Sequence, residues 1–210
     1  LIQQEVMDEL GASQGKRHKM SLITQKAMNG ELDFKQSFLE RAALLKNVPT
    51  SALDEVIASV ELNEGAHRLI KSLRHFGYKT CLISGGFQEV GDYFANELGI
   101  DYVRANRLEI VEGKFTGNVE GEIIDADKKA ELLEDISASE GISLAQTIAV
   151  GDGANDLPML SKAGLGVAYR AKTVVKEQAK HAISQFGLDA ILYLIGFSDA
   201  DIEEALRSAS

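Results

Sequence analysis

The run Gly151-Asp152-Gly153-Ala154-Asn155-Asp156 carries three oxygen-bearing side chains spaced by small residues, directly after the apolar segment Thr147-Ile-Ala-Val150. One or two carboxylates in such a loop suit a hard cation that keeps several waters, as Mg²⁺ does. The plain alternative is an Asx-turn, with Asp156 capping the helix that follows. That alternative leaves Asp152, a charge ending an apolar strand, without a partner to offset its burial. A second loaded segment is Ile83-Ser84-Gly85-Gly86. A hydroxyl and backbone N–H groups at a strand end, entering a helix, can hold an anion, while the competing role for Ser84 is simply to cap that helix. Lys129 shares one helical stripe with Leu132, Leu133 and Ile136. Its ammonium either reaches the sheet edge and neutralises phosphate charge or snorkels past apolar neighbours. Lys128 falls off the stripe and is predicted to face solvent. Arg41 lies on the stripe of Phe34, Phe38 and Leu45, and the same two readings apply to it.

The elements that position these residues follow from periodicity. Residues 1–62 read as helices. Ile2, Val6, Met7 and Leu10 recur at helical spacing up to Gly11, and Asp33 with Gln36 forms a capping box for a helix to about Lys46. A helix over Ala66–Phe76 precedes the β-rich run Tyr78–Ile83, and after Ser84-Gly-Gly86 a further helix runs to about Leu98. Leu108–Val111 and Lys114–Val119, joined through Glu112-Gly113, read as a hairpin. A helix over 126–138, strands at 147–150, 166–168 and 181–183, and helices from Asp156 and over 174–180 complete the alternation. Strands alternating with helices at this pitch predict an α/β fold, a Rossmann-like parallel sheet flanked by helices. The helical front fits an inserted cap. The tail from Ser198 reads as one capped acidic helix.

Composition narrows the partners. Twenty-two basic and 32 acidic residues give a formal charge of −10, which argues against nonspecific binding to nucleic acid or to an anionic membrane. No apolar run has the length of a membrane span and no signal peptide is visible, so a cytoplasmic protein is expected. The single cysteine, Cys81, lies in an apolar run and reads as a buried strand residue. Nucleotide-binding alternatives fail on spacing. Asp156 stands where a dinucleotide fingerprint needs Gly or Ala, and no phosphate-binding Gly-x₄-Gly-Lys-Ser/Thr run occurs. No Gly-x-Ser-x-Gly elbow exists to start a Ser-His-Asp triad.

Taken together, Ser84, Lys129 and Asp152 with Asp156 resemble the last three motifs of the haloacid dehalogenase-like phosphatases, in the family's order. Within that superfamily, Gly151-Asp-Gly-Ala-Asn-Asp-Leu157, Ser84-Gly-Gly-Phe87, Ala105-Asn-Arg-Leu108 and Lys114-Phe-Thr-Gly-Asn-Val-Glu-Gly121 resemble the phosphoserine phosphatases. So does Ala27-Met-Asn-Gly-Glu-Leu-Asp-Phe34, leading to Glu40-Arg41. The resemblance covers residues 1 to about 195. It implies a haloacid dehalogenase-like core over 1–12 and 63–210, with a small helical cap over 13–62. It also implies Mg²⁺-dependent hydrolysis of the small molecule phosphoserine, the last step of serine biosynthesis. Glu5 and Arg41 would bind the amino and carboxylate ends of serine, and Met28 and Phe34 would close the cap. Ser84, Gly85 and Lys129 would hold phosphoryl oxygens, and Asn155 would contact substrate. Asp152 would ligate the metal directly, with Asp156 orienting it or its waters.

The family's Asp-x-Asp-x-Thr nucleophile loop is not found in residues 1–210. The resemblance places it immediately before Leu1, with the central strand that feeds it. The first Asp would form an aspartyl-phosphate and the second would act as general acid, then base. Residues 1–210 are therefore expected to be part of a longer protein and, by themselves, neither stable nor active. Two rival readings differ in what they do with the same residues: a relative acting on, or transferring phosphate from, another small ester, and an inactive phosphoserine-binding module lacking the Asp-x-Asp pair.

Overall fold

The computed structural model describes residues 1–28 and 31–208, and the side chain of Met28 lies outside the described residues. Four helices come first: α1 (Val6–Ser13), α2 (Arg17–Met28), α3 (Phe34–Leu44) and α4 (Thr50–Ser59). There follow α5 (Ala66–His75), β1 (Cys81–Phe87), α6 (Gln88–Leu98), β2 (Tyr102–Val111), β3 (Lys114–Glu120) and α7 (Ala126–Ser139). The last third holds β4 (Ile148–Gly151), α8 (Leu157–Lys162), β5 (Leu165–Tyr169), α9 (Thr173–Gln178), β6 (His181–Ile183), α10 (Ala190–Leu194) and α11 (Asp199–Ser208).

Most of these elements form where the sequence places them. The capping box is closed in both directions. Asp33 Oδ1 accepts from the Gln36 N–H at 2.7 Å, and Gln36 Oε1 accepts from the Asp33 N–H at 3.1 Å. The β2–β3 turn has φ of 50° at Glu112 and 71° at Gly113, the mirror-image turn that matches strand twist. Ser198 caps α11 in the same reciprocal manner through Asp201.

Two expectations differ. The first helix does not begin at Ile2, which instead bridges to Leu62, and it does not stop at Gly11. Gly11 lies within α1, where a Cβ would stand 2.6 Å from Met20 Cγ, so this glycine lets α1 and α2 touch. β1 runs on through Ser84-Gly85-Gly86 to Phe87, and α6 starts only at Gln88. Ser84 is thus a strand residue and not the cap of α6. The α/β expectation holds: the strands pair parallel apart from β3 and are flanked by helices, in two three-stranded sheets, β1-β2-β3 and β4-β5-β6, with no hydrogen-bond ladder from β1 to β4 among the described residues. β2 pairs parallel with β1 from Tyr102 to Asn106 and antiparallel with β3 from Arg107, which explains why it is longer than the hairpin pattern suggests.

Packing ties the helical front to the first sheet. Phe38, Leu10, Met20 and Leu45 share one buried cluster with Phe87, Phe94, Leu108 and Phe115. A further cluster joins Ala130 of α7 to Ala149, Leu160 and Ala168, with Ile83 of β1 packed against it. Helix α7 therefore spans the two sheets and brings the end of β1 toward the end of β4. Among the described residues, no helix is long and apolar enough to cross a membrane.

Candidate active site

The loop after β4 is organised by Asp156. Its carboxylate, 5% exposed, does not cap α8 but turns back into the loop. Oδ2 accepts from the N–H groups of Asp152 at 3.0 Å and Gly153 at 3.1 Å, and Oδ1 accepts from Lys129 Nζ at 2.7 Å. Both charged partners are buried, so the pair is held in a medium where removing either partner is costly. The snorkelling alternative for Lys129 is thereby excluded, while Lys128 faces outward to Glu122 and Glu131 as the stripe predicts. Asp152 sits one residue past β4 with an exposed side chain that forms no hydrogen bond or ion pair among the described residues.

At the end of β1, Ser84 Oγ accepts from the Gly86 N–H at 3.0 Å. The Gly85 carbonyl accepts from Asn106 Nδ2 at 2.9 Å. Gly85 is also where α3 meets the first sheet, since a Cβ there would lie 2.7 Å from Phe34 Cζ. Next to that contact, Lys35 of α3 pairs with Asp125 of α7 at 2.9 Å. Asp125 caps α7 by accepting from the Lys128 N–H at 2.9 Å, and this bond, opposed by burial and helped by Lys35, holds its carboxyl below the usual range. A cleft of about 380 Å³ runs between these elements, lined by Phe34, Lys35, Asp125 and Asn155 among others.

Glu5 precedes α1, and its carbonyl accepts from the N–H groups of Asp8 and Glu9. Although its side chain keeps an exposed face, surrounding protein strips enough water from the carboxyl to raise it above its ordinary value. Arg41 opposes that rise, Asp8 and Asp152 add to it, and Lys129 again opposes it. Arg41 itself is largely buried, 3.5 Å from Asp8 Oδ1, with Nε donating to the Ser37 carbonyl at 3.4 Å. A carboxyl raised in the folded state favours folding at low pH, and that advantage is lost as pH climbs past the ordinary glutamate value. Glu5→Gln is accordingly expected to leave stability unchanged near about pH 4 and to increase it near about pH 8, by less than about 1 kcal/mol because the exposed face is screened. Urea midpoints at the two pH values check this, and equal effects at both would reject the assignment.

The structure thus gathers Glu5, Phe34, Arg41, Ser84, Gly85, Lys129, Asp152, Asn155 and Asp156 around the facing ends of β1 and β4. Met28 falls outside the described side chains. Sequence reasoning missed Asp8, although it follows Glu5 by one helical turn, and Lys35 with Asp125. It also assigned no role to Asn106, the inward-facing polar residue in alternation with Leu108. Cys81 is only partly buried, but desolvation pushes its thiol up to about 12, leaving it no thiolate chemistry.

The site, with a buried pair joining α7 to the loop after β4, lies in a chain that is similar to known proteins. Residues 6–161 match the haloacid dehalogenase-like hydrolase family. The chain belongs to that family. Among haloacid dehalogenase-like hydrolases it is 47% identical over 98% of its length to a phosphoserine phosphatase of Streptomyces coelicolor, of which it spans 50%. It is 46% identical over 93% of its length to the phosphoserine phosphatase of Streptococcus thermophilus, spanning 91% of that protein. The chain therefore covers about half of the first relative and nearly all of the second. A solved phosphoserine phosphatase with substrate bound superposes with a TM-score of 0.86 at 42% identity, covering 92% of each chain. A phospho-aspartyl intermediate analogue of phosphoserine phosphatase gives 0.85 at 42% identity, covering 92% of this chain and 93% of that one.

Proposed function

We propose that this chain hydrolyses O-phosphoserine to serine and phosphate. The observation that carries the reading is a division of charge. Glu5 and Arg41, an opposite-charge pair suited to a zwitterionic amino acid, lie on one side. Ser84, Gly85 and the Lys129–Asp156 pair lie on the side suited to a phosphoryl group.

The donor set fits Mg²⁺. Asp152 presents an uncommitted carboxylate, and Asp156 has three of its roughly four acceptor positions filled, leaving a place for the ion or one of its waters. When bound, the ion supplies Lewis acidity at the phosphoryl oxygens and a template for the substrate. The protein's own groups do the rest. Arg41 receives the substrate carboxylate and Glu5 its ammonium. The Ser84 hydroxyl and Lys129 hold phosphoryl oxygens, Asn155 contacts the substrate, and Phe34 excludes water from the cleft.

The nucleophile in this reading is an aspartate on a segment leading into Leu1, attacking phosphorus to form an aspartyl-phosphate. A second aspartate there gives its proton to the departing seryl oxygen and then activates water. Two features support that placement. Leu1 is partly buried and packs against two core clusters, with Asp152 and Asp156 as its charged neighbours. β1 and β4 each end their sheet on one side, as they would beside a strand between them. A cytoplasmic place as the last step of serine biosynthesis completes the proposal, and the lone cysteine of residues 1–210 gives them no internal disulfide that would call for an oxidising compartment.

The test is phosphate release by the full-length protein, with and without Mg²⁺, from phosphoserine and from phosphoethanolamine, which lacks the carboxylate. A preference for phosphoserine of about 100-fold or more, lost on chelation, is expected. Equal turnover of both esters would reject the substrate assignment, and tight binding of phosphoserine without phosphate release would make the chain a binding module.

A further inference from the structure

Asn106 stands apart from the groups that handle substrate in the proposed reaction. It lies on β2, its side chain 1% exposed, and its amide joins two other segments. Nδ2 donates to the Gly85 carbonyl at 2.9 Å, and Oδ1 accepts from the Ile124 N–H at 2.8 Å. The two partners force this orientation, because a carbonyl only accepts and a backbone N–H only donates.

Each bond leads to a different phosphate-handling group. The Gly85 carbonyl belongs to the planar peptide unit whose other end is the Gly86 N–H, and in a trans peptide the two point in opposite directions. Fixing the carbonyl therefore fixes that N–H, which donates to Ser84 Oγ at 3.0 Å. With one lone pair engaged, the Ser84 hydroxyl is left to donate its proton elsewhere. On the other side, Ile124 immediately precedes Asp125, the cap of α7, and α7 carries Lys129 one turn on.

We infer that Asn106 is a positioning residue whose single amide sets the spacing between the Ser84 hydroxyl and the Lys129 ammonium, and so the grip on the phosphoryl group. The inference rests on the phosphatase reading of this site. No ionisable group takes part, so the setting does not vary with pH through Asn106 itself. An apolar residue of similar size would strand both backbone partners. Asn106→Asp, assayed at a pH where its carboxyl is ionised, is more selective: it keeps an acceptor for the Ile124 N–H but sets a carboxylate oxygen against the Gly85 carbonyl, disturbing the Ser84 side alone.

The experiment separates the two ends of the substrate by their product inhibitors in the full-length protein. For Asn106→Asp, inhibition by inorganic phosphate is expected to weaken about 10-fold and kcat to fall about 10- to 100-fold, with inhibition by serine changed less than about twofold. In a Ser84→Ala background the same substitution should weaken phosphate inhibition by less than about threefold, because the route through Ser84 is already cut. Joint weakening of phosphate and serine inhibition would reduce Asn106 to a general structural role. Unchanged phosphate inhibition, or full additivity with Ser84→Ala, would overturn the inference directly. If Asn106→Leu does not fold, the Asp variant still decides. Should the wild type ignore serine and phosphoserine, the substrate reading falls, while phosphate inhibition of p-nitrophenyl phosphate turnover still tests Asn106.

Discussion

Lys129→Met is expected to lower stability by about 3–5 kcal/mol and to abolish phosphate release. The methionine stem refills the space of the lysine stem, so little packing is lost. What remains is the Asp156 carboxylate, 5% exposed, with its cation gone and only two N–H donors on its other oxygen. A buried charge in that position must either take up a proton or draw water into the core, and both outcomes loosen the loop that presents Asp152. The double variant Lys129→Met with Asp156→Asn removes both charges and keeps an acceptor for the Asp152 and Gly153 N–H groups. It should regain most of the lost stability without regaining turnover. Urea unfolding of the two variants, alongside phosphate release, measures this. A double variant as unstable as the single one would mean that the pair acts through packing and not charge.

The second large effect concerns substrate choice. For Arg41→Ala, kcat/KM on phosphoserine should fall about 100- to 1000-fold, the equivalent of roughly 3–4 kcal/mol for a charge-assisted pair of hydrogen bonds to a carboxylate. Phosphoethanolamine, without a carboxylate, should change less than about threefold. Arg41→Lys restores the charge but not the planar fork, and recovers only part of the loss. The structure adds a competitor to this account, for Asp8 stands 3.5 Å from the guanidinium. A substrate carboxylate must share or displace that partner, so Asp8→Asn should tighten KM for phosphoserine modestly while leaving phosphoethanolamine alone. Equal losses on both esters in Arg41→Ala would show that Arg41 supports the fold of the cleft and does not read the substrate.

Features governed by near neighbours along the chain are legible in the residues alone. The capping box at Asp33, the Glu112-Gly113 turn and the inward stripe of α7 depend on local backbone geometry and helical period, and the residues declare both. The loop after β4 stands out in the sequence because three oxygen-bearing side chains follow an apolar strand, but that Asp152 is exposed while Asp156 is buried depends on Lys129 of another helix. Features settled by distant contacts are not. Nothing near Ser84 shows that β1 continues past it, because that continuation depends on β2, whose register with β1 shifts between Ile83 and Phe87. Gly11 reads as a helix stop because the residue it touches, Met20, is on another helix. Asn106 gives the weakest signal, one polar residue on an inward face, and its two partners lie 21 and 18 positions away.

Helix α3 carries Phe34 against Gly85 at its start and Arg41 two turns later on the same face. Seven residues of helix fix these points about 10 Å apart along its axis. In the proposed reaction one end would stand at the phosphoryl pocket and the other where the substrate's carboxylate would be read. On that reading the rod would serve as a gauge of molecular length. An ester with a longer spacer between phosphate and carboxylate would then meet both marks less well, and one without a carboxylate would meet only the first. Selectivity for chain length would then need no wall at the far end of the cleft, because the spacing is built into the helix itself.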